Sequence, residues 1–232
     1  MAVLDTTETQ KQAAAIAAVG EVERGMIVGL GTGTTAAYAI AALARHVAEG
    51  LEVRAVATSK RTAQAASAAG IEILDFSRVD TIDLAIDGVD EIDPAFRAIK
   101  GGGGAMLREK IVAEAALRMI AIADAAKSVA WLGSRPVPLE VLPFACALVL
   151  SRVRDLGCVP SLRQAGTQPF FTDQDNLVID CHFDALSDLQ ALATSLSAIP
   201  GVLGHGLFLG EIDTVYLGTS GGVVRRDRPI IL

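Results

Sequence analysis

The chain has 232 residues, 51% hydrophobic and 20% charged, enough to bury a substantial core in one large domain or one and a half. Its formal net charge is −7, and no Lys/Arg cluster exceeds Arg225-Arg226, which argues against a nucleic-acid partner. The longest apolar run, residues 141–150, is interrupted by Pro143 and falls far short of the roughly 18 residues of a membrane span, so no membrane partner is expected.

Residues 13–19 are apolar but follow Asp5, Glu8 and Lys11 and do not read as a secretory leader. Cys146, Cys158 and Cys181 form no CxxC pair and read as thiols of a reducing cytoplasm. His46, His182 and His205 are scattered, so no metal site is expected. Aromatics make up only 4% of the chain, and small aliphatic cores suit helices packed on a parallel sheet.

In chain order, Thr7-Glu8-Thr9-Gln10 has capping-box form and opens an Ala-rich helix to about residue 19. A short strand over 26–30 leads into Gly31-Thr32-Gly33-Thr34-Thr35, and a helix follows over 36–48. A strand is predicted over 52–58, a helix over 60–69 stopped by Gly70, a strand over 71–74 and another over 81–86. That last strand runs into Asp87-Gly88-Val89-Asp90-Glu91. After Lys100 come Gly101, Gly102, Gly103 and Gly104, then a helix over 106–118 and a strand over 119–123 ending at Asp124. Strands alternating with helices predict an α/β fold with a doubly wound, mostly parallel sheet.

The pattern changes near Gly133. Residues 135–138, with two prolines, read as a stiff connector. A helix over 144–156, strands over 161–164 and 177–182 joined by a turn at 172–176, and a helix over 185–197 predict a small α+β (ferredoxin-like) domain. The expected division is 1–134 with 208–232 as a Rossmann-like catalytic domain and 135–207 as the small domain, with a last strand over 214–217 returning to the main sheet.

The chemistry-bearing residues fall at predicted strand ends, where open α/β sheets bind ligands. The glycines and threonines of residues 31–35, between strand and helix, could offer N–H and hydroxyl donors to an anion. A tight turn with a threonine cap fits as well. The loop matches neither GxGxxG nor a Walker sequence. Asp87, Asp90, Glu91 and Asp93 crowd four carboxylates into seven residues. They could bind sugar hydroxyls, hold Mg²⁺ or do acid–base work, or form an acidic turn closed by Pro94. Four glycines cost backbone entropy unless the chain must approach a ligand and present donors to an oxyanion. Lys100 would add positive charge at the entrance. Leu107 and Ile111 are expected to face the sheet, leaving Glu109 pointing towards solvent or a cleft. Taken alone, Glu109 fits an exposed charged helix face with Arg108 and Lys110 better, since exposed glutamates on helices are commonplace. Thr58, Ser59, Asp124 and Lys127 also lie at or just after strand ends.

Together, GLGTGTTA, DLAIDGVDEID and IKGGGGAMLREKIVAEA, with supporting stretches PVPLEVLPFA and IPGVLGHGLF, resemble the A-type ribose-5-phosphate isomerase family. The resemblance implies an aldose–ketose isomerase of the non-oxidative pentose phosphate pathway, passing through an enediolate with Glu109 as general base. It implies that Thr32, Gly33, Thr34 and Thr35 hold the phosphate. Asp87, Gly88, Val89 and Asp90 would contact the sugar, with Asp87 assisting ring opening. Lys100, Gly101, Gly102 and Gly103 would also contact substrate, with Lys100 catalytic. Lys127 would bind substrate, and Lys11 is a further phosphate contact. It implies no cofactor, a phosphopentose as small-molecule partner, and a homodimer or homotetramer. The turn at 172–176 lacks the family's glycine, and Gly210-Glu211-Ile212 is atypical. The competing classes are a sugar-phosphate sensor domain, for which no basic helix-turn-helix is present, and a CoA transferase with a glutamate nucleophile.

Overall fold

The computed structural model describes residues 6–229; the outermost residues of the expected large domain, 1–5 and 230–232, and Asp5 of the leader reading lie outside them. The main sheet contains β1 (Ile27–Leu30), β2 (Arg54–Ala57), β3 (Glu72–Ile73), β4 (Leu84–Gly88), β7 (Met119–Asp124), β15 (Thr214–Thr219) and β16 (Gly222–Asp227). Their order is β16-β15-β7-β4-β1-β2-β3, parallel except for the β15–β16 hairpin. The order reverses between β1 and β4, so the loops after these two strands diverge and leave a crevice at their carboxyl ends. This is the α/β, mostly parallel architecture expected from the alternation of elements.

Helices α1 (Thr6–Val19), α2 (Thr34–Ala48) and α3 (Lys60–Ala68) carry small buried residues such as Ala14, Ala15, Ala18, Ala39 and Ala66, which allow close approach to the sheet. Thr6, the first described residue, is already helical, so Thr7 lies inside α1 rather than at the start where the sequence put it. The helix α4 (Met106–Glu114) stops four residues earlier than the 118 expected. Ala116 bridges Ile82, and Ile82 N–H donates to the Ala115 carbonyl, so the chain joins the sheet before the helical pattern runs out.

A second, four-stranded antiparallel sheet has the order β13-β8-β12-β9, from β8 (Val137–Val141), β9 (Val159–Leu162), β12 (Leu177–His182) and β13 (Val202–His205). It packs with α5 (Cys146–Asp155) and α6 (Leu189–Ser197) around Leu139, Val149, Val153, Ile179 and Leu196. The stiff connector expected at 135–138 is instead the approach to β8, an inner strand of this sheet. Pro138 is tolerated as the strand's second residue, and its carbonyl accepts from Gly206 N–H. Helix α6 begins at Leu189 rather than 185, capped by Asp188, which accepts from Ala191 N–H. In the turn at 172–176, Asp175 takes the left-handed conformation with φ 59° that glycine usually fills.

Short strands β5 (Glu91–Ile92), β6 (Ala98–Ile99) and β14 (Leu207–Phe208) form a small third sheet at the junction. A hairpin of β10 (Gln164–Ala165) and β11 (Gln168–Pro169) extends from the four-stranded sheet. No described helix is long and apolar enough to cross a membrane.

Candidate active site

The crevice beyond β1 and β4 gathers the residues singled out from the sequence. Gly31, directly after β1, runs so close to β4 that a Cβ there would lie 1.9 Å from Asp87 Oδ1, so only glycine fits. Thr32 N–H then donates to Asp87 Oδ1 at 3.1 Å, and Gly88 N–H donates to the same oxygen at 2.7 Å. The other oxygen, Oδ2, accepts from Lys100 Nζ at 2.9 Å.

Lys100 does not stand at the entrance as expected. Its side chain is 2% exposed, one of the largest fully buried in the chain. Its Nζ also donates to the Gly88 carbonyl and lies 5.3 Å from the Phe208 ring centroid. A buried lysine survives only with its charge compensated, and the second compensating group is Glu109, whose Oε2 is 3.2 Å from Nζ.

Glu109 is itself 4% exposed. The inward stripe of α4 is Met106, Glu109, Val112 and Ala113, not Leu107 and Ile111; Ile111 is 44% exposed. The expected orientation of the helix is therefore corrected, and Glu109 occupies a position that a core residue would otherwise take. It sits in the first turn of α4, where the helix dipole favours a carboxylate. The Lys100 contact is close but poorly aligned, so Glu109 Oε2 accepts no hydrogen bond and keeps its lone pairs for another proton.

Burial is the main influence on all three charges. It pushes Glu109 up to about 8, opposed by the Lys100 ammonium and reinforced by the negative charge of Asp87. Asp87 is also raised by burial, against the pull of Lys100 and of the Gly88 and Thr32 N–H groups. For Lys100 burial acts downward, but the attraction of Asp87 and Glu109 outweighs it and raises the ammonium above its usual range. Two carboxylates sharing one ammonium is an arrangement that holds a base near neutral pH.

A cleft of about 130 Å³ lies over these groups. Its lining includes Thr32, Gly33, Thr34, Thr35, Gly88, Val89, Asp90, Lys100, Gly101, Gly102, Gly103, Glu109, Lys11 and Lys127, so every expected substrate contact except buried Asp87 faces it. A larger cavity of about 640 Å³ lies beside Lys110, His205 and Glu211 and includes none of the three charged groups, whereas Lys100 and Glu109 line the smaller one.

At the end of the cleft formed by residues 32–35, Gly33 is the N-cap of α2 and no side chain caps the helix. The threonine-cap alternative therefore fails, and the helix N-terminus stays open to an anion. Thr32 Oγ1 is engaged with Thr58 Oγ1 at 2.7 Å and with Thr62 Oγ1 at 3.3 Å, while Lys11 reaches Thr34 Oγ1 at 3.5 Å and pairs with Glu8. Of the weaker expectations, Thr58 braces the loop, Ser59 caps α3 and Asp124 Oδ1 caps the short turn before Lys127. Glu91 and Asp93 hold backbone: Glu91 accepts from the N–H groups of Gly133 and Arg135, and Asp93 from those of Ala95 and Arg97. The atypical Glu211 pairs with Lys110 at 3.2 Å.

The glycine run holds a surprise. Gly102 N–H is already committed to Asp90 Oδ2 at 2.7 Å, so it is not a free oxyanion donor. Its neighbouring carbonyls accept from Arg163, a residue not singled out from the sequence. Only the register of β9 on β12 brings Arg163 beside Asp180, and no local motif announces it.

Residues 54–222 match the family model described as ribose 5-phosphate isomerase A (phosphoriboisomerase A). The chain belongs to this family. A curated ribose-5-phosphate isomerase A from Sphingopyxis alaskensis is 48% identical over 219 residues, spanning 94% of this chain and 96% of its own. A D-ribose-5-phosphate isomerase solved in complex with phospho-erythronic acid superposes with a TM-score of 0.92 at 35% identity, over 96% of this chain and 99% of its own. The ribose 5-phosphate isomerase of Plasmodium falciparum superposes with a TM-score of 0.93 at 31% identity, over 96% and 100%. The chain is thus an isomerase of the ribose 5-phosphate isomerase A type, and the sensor and CoA-transferase alternatives fall away.

Proposed function

We propose that this isomerase interconverts ribose 5-phosphate and ribulose 5-phosphate through an enediolate, with Glu109 as the base. The observation that carries the proposal is the buried Glu109 carboxylate, 3.2 Å from Lys100 Nζ, with an oxygen that accepts no hydrogen bond. In the open-chain aldehyde the C2–H is acidified by the carbonyl. Glu109 removes that proton, the C–H electrons become the C1–C2 double bond, and the aldehyde oxygen gains the charge. The O2 hydroxyl proton passes to O1, and Glu109 returns its own proton to C1.

Lys100 and the surrounding backbone stabilise the charge on oxygen, usually the largest single contribution. Asp87 assists ring opening and holds Lys100 in place. The phosphate is assigned to Gly33, Thr34 and Thr35 at the open end of α2, with Lys11 and Lys127 beside it. Phospho-erythronic acid, one carbon shorter and ending in a carboxylate, is expected to bind the same cleft. No metal or organic cofactor is needed by this scheme.

Residues 1–134 with 208–232 are assigned as the catalytic domain and 135–207 as the small domain through which copies associate as a dimer or tetramer in the cytoplasm. Exposed Leu142, Phe144 and Leu148 on the α5 side support association, and three free cysteines suit a reducing compartment. The deciding experiment mixes the purified protein with ribose 5-phosphate and follows ketose formation. No ketose above background overturns the assignment.

A further inference from the structure

One charged side chain beside the site has no role in the scheme above. Arg163 follows β9, and its Nε and Nη2 donate to the two oxygens of Asp180 on β12, a fork-on-fork pair. Its guanidinium lies 5.9 Å from the centroid of the Phe170 ring, and Phe170 in turn packs against Gly104, where a Cβ would meet the ring at 2.4 Å. Held on two sides, the guanidinium aims Nη1 at the carbonyls of Gly101 and Gly102, at 2.9 Å and 3.2 Å.

The consequence follows from amide geometry. In a trans peptide the C=O and the following N–H point in opposite directions. The Gly101 carbonyl faces Arg163, so Gly102 N–H must face away, and it does, onto Asp90 Oδ2. The next unit obeys the same rule. The Gly102 carbonyl faces Arg163, so Gly103 N–H points away from Arg163, and Gly103 is part of the cleft lining. Among the described residues no protein group accepts from that N–H.

We propose that Arg163, locked by Asp180, is a positioning residue that aims Gly103 N–H at the oxygen gaining charge in the enediolate. This rests on the isomerase reading given above. A turn bond from Gly104 N–H to the Gly101 carbonyl and the Asp90 bond to Gly102 N–H already hold part of the run, and Arg163 adds the grip on the Gly102 carbonyl that fixes the amide carrying Gly103 N–H. The clamp orders it beforehand, and a cation on the carbonyl also polarises the amide it aims.

The test compares wild type, Arg163→Met, Arg163→Lys and Asp180→Asn in melting temperature, kcat, KM and inhibition by phospho-erythronic acid and by inorganic phosphate. Arg163→Met is expected to lose about tenfold or more in kcat, below the full loss of an oxyanion donor because the N–H is misaimed rather than removed. KM for ribose 5-phosphate should change by less than about threefold, since the donor acts mainly on the charged state. Phospho-erythronic acid should weaken in step with kcat, phosphate inhibition should hold, and Arg163→Lys should recover part of the loss. Unchanged kcat, a loss that only tracks the unfolded fraction, or equal weakening of both inhibitors overturns the clamp. If Arg163→Met does not fold, Arg163→Lys and Asp180→Asn are judged by the same criteria. An active wild type with unaffected variants sinks the clamp alone, whereas an inactive wild type sinks the isomerase reading and the clamp with it.

Discussion

Lys100 Nζ lies 3.2 Å from Glu109 Oε2, and both side chains are almost wholly withdrawn from solvent. A buried carboxylate whose Oε2 accepts no hydrogen bond costs stability, and that cost makes Glu109 the place to intervene. Glu109→Gln keeps the shape and removes the basicity. Its kcat is expected to fall by at least about a hundredfold, with ribose 5-phosphate still bound in equilibrium titrations. Near-normal turnover would move the base to Asp87 or Asp90.

The acid limb of the pH–rate profile should reflect the same burial. The base works only after losing its proton, so kcat/KM rises with pH through its pKa. Burial raises Glu109 to about 8, and the limb should lie far above the ordinary Glu value of about 4.3. The limb belongs to the Asp87–Glu109 pair rather than to one residue. Asp87→Asn removes the neighbouring negative charge and should shift the limb to lower pH. A limb near 4 in wild type, unmoved in Asp87→Asn, would contradict this account.

Lys100 occupies the place between two carboxylates that a divalent cation could otherwise take. Isomerisation is therefore expected to survive exhaustive EDTA treatment. Activity lost to chelation and restored by Mg²⁺ or Mn²⁺ would reassign Asp87 and Asp90 as ligands. Lys100→Met should abolish turnover and cost about 3–5 kcal/mol in urea unfolding at neutral pH, because two buried carboxylates lose their shared partner. The loss should shrink as the pH falls towards about 4, where the unfolded chain also takes up the protons that the buried Asp87 and Glu109 of the variant must carry.

At the other end of the cleft, free ribose should be a very poor substrate in kcat as well as affinity, because it lacks the remote group that aligns C2 with Glu109. Thr34→Val and Thr35→Val remove hydroxyls at the first two positions of α2 and should slow ribose 5-phosphate turnover while sparing trace activity on ribose. Lys127→Ala should behave alike. Equal losses on both sugars would make the loop structural and place the phosphate elsewhere.

Alternating strands and helices were legible because periodicity and strand-end glycines are local signals. So were the residues that meet in the cleft, through the family's segments. The burial of Lys100 was not legible, since lysines are rarely buried and only the folded chain brings Asp87 and Glu109 to either side of it. The face of α4 was misread because Leu107 and Ile111 look like a core pair, whereas Met106, Val112 and Ala113 form the packed stripe. Prolines 136 and 138 disguised β8, and the Arg163–Asp180 pair depends on a strand register that no single segment records.

The insertion of β15 between β7 and β16 has a consequence for synthesis. All of β7 is buried in the finished fold, and one of its edges is covered only when residues 214–219 arrive. During translation, everything from Met119 to about residue 213 leaves the ribosome before that edge has a partner. The nascent chain thus holds an apolar strand edge open across nearly a hundred residues of synthesis, and an open edge invites pairing with the wrong chain. Stalling translation just before Thr214 should yield a chain bound by holdase chaperones, and release should follow once residue 219 has cleared the exit tunnel.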